Sequence, residues 1–142
     1  MSSAVSKVFS INIEKQTVAN NRFRDVIHTT PQLQIALMSL NKGEIIPMEQ
    51  HQNRTQFIRV ESGKAAVTVG DEKLTLSDGD IVVIPADTDH EVRQLGDEPL
   101  KLYSIYAPPE HEDGKRDERQ PGKPTAKKAR SSDSKENDTS GN

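Results

Sequence analysis

A chain of 142 residues and 15.8 kDa has room for one compact core and little more. Nineteen Lys and Arg against twenty-two Asp and Glu leave a net charge of −3, which is no nucleic-acid signature in itself. The sequence contains no cysteine, and this excludes disulfides, iron–sulfur clusters, thiolate nucleophiles and Cys-type zinc sites.

Residues 1–22 read as an N-terminal arm, with Val8, Phe9, Ile11 and Ile13 giving it more apolar character than a free arm requires. Ile11-Asn12-Ile13 fits a strand, and Ala19-Asn20-Asn21 fits a turn or short helix. Such an arm is expected to add to the sheet of a second copy, by strand exchange in a homodimer; the alternative is that residues 8–13 fold back on their own barrel and leave a monomer. The first thirty residues lack the apolar stretch of a signal peptide, and no run approaches the length of a membrane span. A soluble intracellular protein with no membrane partner is the expectation.

From Phe23 onward, short apolar or alternating segments are separated by turn chemistry. Phe23–Ile27 and Leu33–Leu40 come first, and the second stops at Asn41-Lys42-Gly43. Gln56–Val60, Ala65–Val69, Lys73–Leu76, Ile81–Ile84 and Glu91–Gln94 follow, with Gly63, Gly70, Gly79 and Pro85 among the punctuation. Leu100–Tyr106 closes the series with clean alternation, so Tyr103 and Tyr106 face opposite ways, one packed and one outward. Phe57 is expected in the core. Many short strands with Gly/Asp turns indicate an all-β sandwich or barrel over residues 23–113. Pro108-Pro109 ends the last strand, because proline removes a ladder donor.

Residues 114–142 contain Ala126 and Ala129 as their only apolar members and carry eight Lys and Arg against five Asp and Glu. Residues 1–113 carry eleven against seventeen. A segment with nothing to bury cannot offset its ordering entropy, so 114–142 is expected to be a disordered, charged tail. Its Lys127-Lys128-Ala129-Arg130 cluster would suit nuclear import or a weak polyanion contact, including nucleic acid.

The chemistry must come from residues that act without sulfur. Glu49 and His51 are two positions apart, so on a strand both point to one face. Gln56 follows the Gln52-Asn53-Arg54 turn and can return beside His51 on a neighbouring strand. His90 follows the Pro85-Ala86-Asp87 turn and opens another strand. In a sheet that curls into a barrel, these four side chains converge. An ionised carboxylate buried beside two imidazoles costs several kcal/mol without a cation, and a divalent ion removes that cost while holding the rings neutral. Two His and one carboxylate suit Fe, Mn or Zn. Gln56 either ligates directly or hydrogen-bonds a metal-bound water. The alternative is that Glu49 is a rim carboxylate and that His51 and His90 are satisfied barrel histidines. His28 and His111 fit surface positions or positions behind the ligands.

The spacing Gly43-x5-Glu49-x-His51-x4-Gln56-x6-Gly63 resembles the first motif of the cupin superfamily, which has His-x-His and then Glu at these positions. Gly79-x5-Pro85-x-Asp87-x2-His90-x3-Gln94 resembles the second motif, where the family has Gly at Asp87 and Asn at Gln94. Gln56–Gly63 and the ending Lys101–His111 are similar to small single-domain cupins of the mannose-6-phosphate isomerase-like type. The resemblance implies a small conical β-barrel with one divalent metal in its mouth, commonly as a homodimer. Cupin isomerases of that type use a Gln, His, Glu, His set. Glu49, His51, Gln56 and His90 supply the same four types with Gln and Glu exchanged.

Two functional classes follow. One is a metal-dependent enzyme on a small polar molecule, isomerase-like or oxygenase-like. The other is a non-catalytic binding or structural module whose basic tail recruits a partner. No phosphate grip is evident, because Arg59 and Arg93 fall out of phase with Gln56 and His90 and Arg54 lies in a turn.

Overall fold

The computed structural model describes residues 7–119. The described chain is one short helix, α1 (Ile13–Ala19), and ten strands: β1 (Arg24–Thr29), β2 (Gln34–Leu40), β3 (Ile45–Glu49), β4 (Thr55–Ser62), β5 (Lys64–Val69), β6 (Glu72–Ser77), β7 (Ile81–Ile84), β8 (His90–Leu95), β9 (Leu100–Ala107) and β10 (Arg116–Asp117). Six strands form a sheet in the order β10-β1-β2-β9-β4-β7, and four form a second in the order β3-β8-β5-β6. All pairings are antiparallel. No helix among the described residues is long and apolar enough to cross a membrane.

Alternation along each strand sends one set of side chains into the space between the sheets. On β4 the inward set is Gln56, Ile58 and Val60, and on β8 it is His90, Val92 and Gln94. Phe23, Met38, Leu40, Ile58, Leu100 and Leu102 are buried in the main apolar cluster, each stabilising the fold by roughly 1.5–3 kcal/mol. Gly63 turns β4 into β5 at a positive φ of 83°, and a Cβ there would lie 2.5 Å from the Pro99 carbonyl oxygen. Only glycine fits both demands.

Four sequence expectations change here. Ile11-Asn12-Ile13 is not a strand: the Asn12 side chain accepts a hydrogen bond from Lys15 N at 2.9 Å and caps α1. An N-cap oxygen satisfies a donor that would otherwise be orphaned, and this outweighs the strand-like Ile–x–Ile alternation. Phe57 lies outside the core, on the outer face of β4, where it stacks on Tyr103 with ring centres 6.3 Å apart; Tyr106 is the tyrosine that packs inward.

The boundary expected at residue 114 also moves. Arg116 and Asp117 form β10 against Asp25 and Arg24 of β1. Arg24 pairs with Asp117 at 2.7 Å, Arg116 with Asp25 at 3.2 Å and Arg119 with Glu44 at 3.2 Å. Alternating charge, rather than apolar area, holds this segment. The Lys127–Arg130 cluster lies outside the described residues.

The fourth change concerns β3 and β4. They are not neighbours; β3 pairs with β8 while β4 lies in the other sheet. Gln56 therefore approaches from across the core. The described part of the arm, finally, packs on its own barrel. Phe9 stacks on His28 with ring centres 4.2 Å apart, and Phe9, Ile11 and Ile13 line an apolar groove with Ile35, Tyr103 and Ile105.

Candidate metal centre

At one end of the sandwich the inward row turns polar. In the six-stranded sheet Gln34, Tyr106 and Gln56 stand side by side, with Tyr106 in register with both. In the four-stranded sheet Glu49 is directly opposite His90. His51 lies two residues past Glu49, beyond the end of β3. Its carbonyl accepts from Asp87 N at 3.0 Å, and Asp87 Oδ1 accepts from Asn53 N at 3.1 Å. These bonds tie the loop carrying His51 to the loop that leads into His90.

One carboxylate oxygen serves both rings. Glu49 Oε2 is 3.3 Å from His51 Nε2 and 3.7 Å from His90 Nε2. One ligand atom from each of Glu49, His51 and His90 lies within 4.8 Å of the others. The His side chains are 6% and 1% exposed, while Glu49 is 34% exposed and opens the site to solvent. Burial pushes the Glu49 carboxyl up, but the close approach and charge of the His51 and His90 rings outweigh it and hold the group at about 2. Burial pulls the His51 ring down, and the close Glu49 carboxylate, with Glu110 adding, carries it above its ordinary value.

The donor chemistry fits a cation. His90 Nδ1 lies 3.0 Å from the Thr88 carbonyl oxygen, which can only accept, so Nδ1 carries the proton. In the neutral ring the Nε2 lone pair then faces the Glu49 oxygen, and this buried nitrogen has no hydrogen-bond partner. Both ring nitrogens of His51 and the Oε1 of Gln56 are likewise buried without an aligned hydrogen bond. A carboxylate oxygen and an imidazole lone pair that face one another, as Glu49 and His90 do here, are stabilised by a shared divalent ion.

Gln56 is fully inside the barrel. Its amide nitrogen is 3.1 Å from Ser104 Oγ and 3.4 Å from Tyr106 Oη. The Tyr106 ring meets His51 edge-on at 5.5 Å and His111 edge-on at 5.1 Å. Burial raises the Tyr106 phenol, so it stays protonated. His111 therefore stands behind the site, and burial, helped by Arg24, lowers its ring to about 4. Gln94 has a separate task at the other end of β8, where its oxygen accepts from Gly43 N and its amide reaches the carbonyls of Leu95, Gly96 and Glu98.

Glu110 is the site residue that the sequence reading passed over. Its Oε2 is 3.2 Å from His51 Nδ1 and its Oε1 is 3.2 Å from Arg54 Nε. A signal was present. Glu110 follows the Pro108-Pro109 stop of the last strand, at the end where Thr55 pairs with Ala107, one residue from Gln56.

Comparison with known proteins agrees with this fold. The cupin domain family model matches residues 36–106, half the chain. The chain belongs to the cupin family. This cupin is 45% identical over 111 residues to the protein YrkC of Bacillus subtilis, covering 74% of the chain and only 60% of YrkC's length. It is 39% identical over 125 residues to the protein L612 of Acanthamoeba polyphaga mimivirus, covering 85% of the chain and 78% of that protein. The crystal structure of BH2720 from Bacillus halodurans superposes with a TM-score of 0.79 at 41% identity, over 81% of this chain and 92% of that one.

Proposed function

We propose that this cupin is a metal-dependent enzyme acting on a small polar molecule, with Glu49, His51 and His90 holding one divalent transition metal and Gln56 completing the polar wall opposite them. The observation that carries the reading is the single Glu49 oxygen between two buried Nε2 atoms. When bound, the metal would act as a Lewis acid or an oxygen activator.

The chain's own residues narrow the substrate. Arg54 is engaged by Glu110 and the carbonyls of Pro109 and Gln52, Arg93 by Glu91, and Arg59 by Glu61 on the outer face. None of these three is free to clamp a phosphate. An unphosphorylated polyol, sugar or hydroxy acid fits better than the phosphosugar of a mannose-6-phosphate isomerase-like enzyme. Tyr106, protonated and buried beside His51, is placed to donate a hydrogen bond, and a sugar isomerisation would use such a group beside the polarised carbonyl.

The test is a turnover screen of the metal-loaded protein against unphosphorylated and phosphorylated sugars, hydroxy acids and small phenols. Aerobic and anaerobic arms separate isomerisation from oxygenation. Turnover that disappears in Glu49→Gln supports the reading. Turnover only of phosphorylated substrates contradicts the substrate class, and turnover unchanged in Glu49→Gln contradicts the site.

A further inference from the structure

The segment after the last strand does more than end the barrel. Gln34, fully buried on β2, uses its amide oxygen and one amide proton to hold two consecutive residues of that segment. Its Oε1 accepts from Glu110 N at 3.0 Å and from His111 N at 2.8 Å, and its Nε2 donates to the His111 carbonyl at 2.7 Å. Thr29 Oγ1 accepts the remaining amide proton of Gln34 at 3.0 Å. On the other side of Glu110, Arg54 Nε donates to the Pro109 carbonyl at 2.7 Å and stands 3.2 Å from Glu110 Oε1. Backbone and side chain of Glu110 are thus both fixed, and its second oxygen is left 3.2 Å from His51 Nδ1.

An imidazole has two nitrogens, and a partner on one decides which is left to ligate. For His90 that partner is the Thr88 carbonyl. No carbonyl reaches His51 Nδ1, and its contact with Glu110 is close but not in line, so the nitrogen has no aligned hydrogen bond. Glu110 is the acceptor stationed on that edge of the ring, opposite the edge that faces Glu49.

We propose that Glu110, held in place by Gln34 and Arg54, is a positioning residue that accepts a hydrogen bond from His51 Nδ1–H, keeps the proton on that nitrogen and so presents Nε2 to the metal. The inference rests on the metal reading above and adds a residue that does not itself ligate. A carboxylate behind a ligating histidine fixes its tautomer and raises its basicity, and loss of such a partner costs about 10- to 100-fold in metal affinity.

The experiment is a competitive Zn(II) titration of the full chain, its Glu110→Gln form and its Glu110→Ala form at neutral pH, with melting curves of all three without metal. Histidine ring 15N shifts of the zinc-loaded proteins report the His51 tautomer. The expected result is a loss of about 10- to 100-fold in Glu110→Ala. Glu110→Gln, whose amide oxygen still accepts from Nδ1–H, is expected to recover most of that loss and to keep His51 protonated at Nδ1. Metal-free melting curves that agree between the two variants make any difference in affinity a property of the site. Glu110→Ala binding as tightly as the unaltered chain, or Glu110→Gln binding as weakly as Glu110→Ala, overturns the positioning role. An unaltered chain that takes up no zinc overturns the metal reading itself, and is recognised because the first titration is then flat.

Discussion

Glu49 and His90 face one another across the β3–β8 ladder, and the Glu49 oxygen that stands 3.7 Å from His90 Nε2 is the same one that stands 3.3 Å from His51 Nε2. A carboxylate in that position supplies the site's negative charge as well as a donor atom. Glu49→Gln keeps the shape and removes the charge. The variant is expected to bind Zn(II) or Mn(II) at least about 100-fold more weakly while remaining folded, as read by competition with a chromophoric chelator. Affinity within a few-fold of the unaltered chain contradicts a ligand role for Glu49.

The half-buried ring of His111 makes stability depend on pH. Burial, with Arg24 adding, lowers it to about 4 from an ordinary 6.5. Between those values the unfolded chain binds a proton that the folded chain refuses, so stability falls as pH drops from about 6.5 and levels near 4. The loss from this group is about 2 kcal/mol after allowance for partial exposure. Glu49, held at about 2, adds its own loss only below the ordinary carboxylate value of 4.5, so the two windows overlap only at the acid end of the His111 range. His111→Phe keeps a ring against Tyr106 and removes the titration. Urea melts of the metal-free protein at several pH values are expected to show a flatter profile between 6.5 and 4 in this variant. An unchanged slope contradicts the assignment.

The charged strand at the C-terminal end allows two truncations to be told apart. A chain ending at residue 119 keeps the pairs of Arg116, Asp117 and Arg119 with Asp25, Arg24 and Glu44, and its melting temperature is expected to match that of the full chain. Ending at residue 114 leaves Arg24 and Glu44, both buried, without those partners. A loss of about 2–4 kcal/mol is expected, measured by denaturant titration and reduced in high salt. Equal stability of the two truncated chains contradicts a structural role for β10.

A homodimer remains our expectation for the assembly. β7 is an edge of the larger sheet, and its outward Ile81 and Val83 are half exposed. An apolar edge strand with unpaired backbone groups is stabilised by pairing with a second copy of itself. Sedimentation at micromolar concentration is expected to give a dimer that Ile81→Lys with Val83→Lys dissociates. A monomeric full chain contradicts this, and so does a dimer indifferent to both substitutions.

The strands were legible because their inward positions alternate so cleanly: Gln56, Ile58 and Val60 on β4 and His90, Val92 and Gln94 on β8. Glu49, His51 and His90 stood out by their spacing, but strict alternation is not what gathers them: β3 shifts register between Ile46 and Glu49, and His51 reaches the same end from the loop beyond β3. What failed were features decided by single polar groups. Asn12 caps a helix where Ile11 and Ile13 alternate like a strand. Arg116 and Asp117 form a strand with no apolar side chain at all, because their partners Asp25 and Arg24 are charged in the opposite sense. Glu110 was passed over because its importance depends on Gln34, seventy-six residues away in sequence, and no local pattern announces a buried amide clamp. Placing Gln56 beside β3 also failed, since which sheet a strand joins after a turn is a property of the whole topology.

The central claim is that Glu49, His51 and His90 hold one metal ion. Elemental analysis of the full chain, purified without chelator and compared with a His51→Ala, His90→Ala double variant, tests it most directly. The account predicts about one transition metal per chain in the unaltered protein, as expected of a single mononuclear site, and almost none in the double variant, with circular dichroism confirming that both are folded. Equal metal content in the two proteins would contradict it.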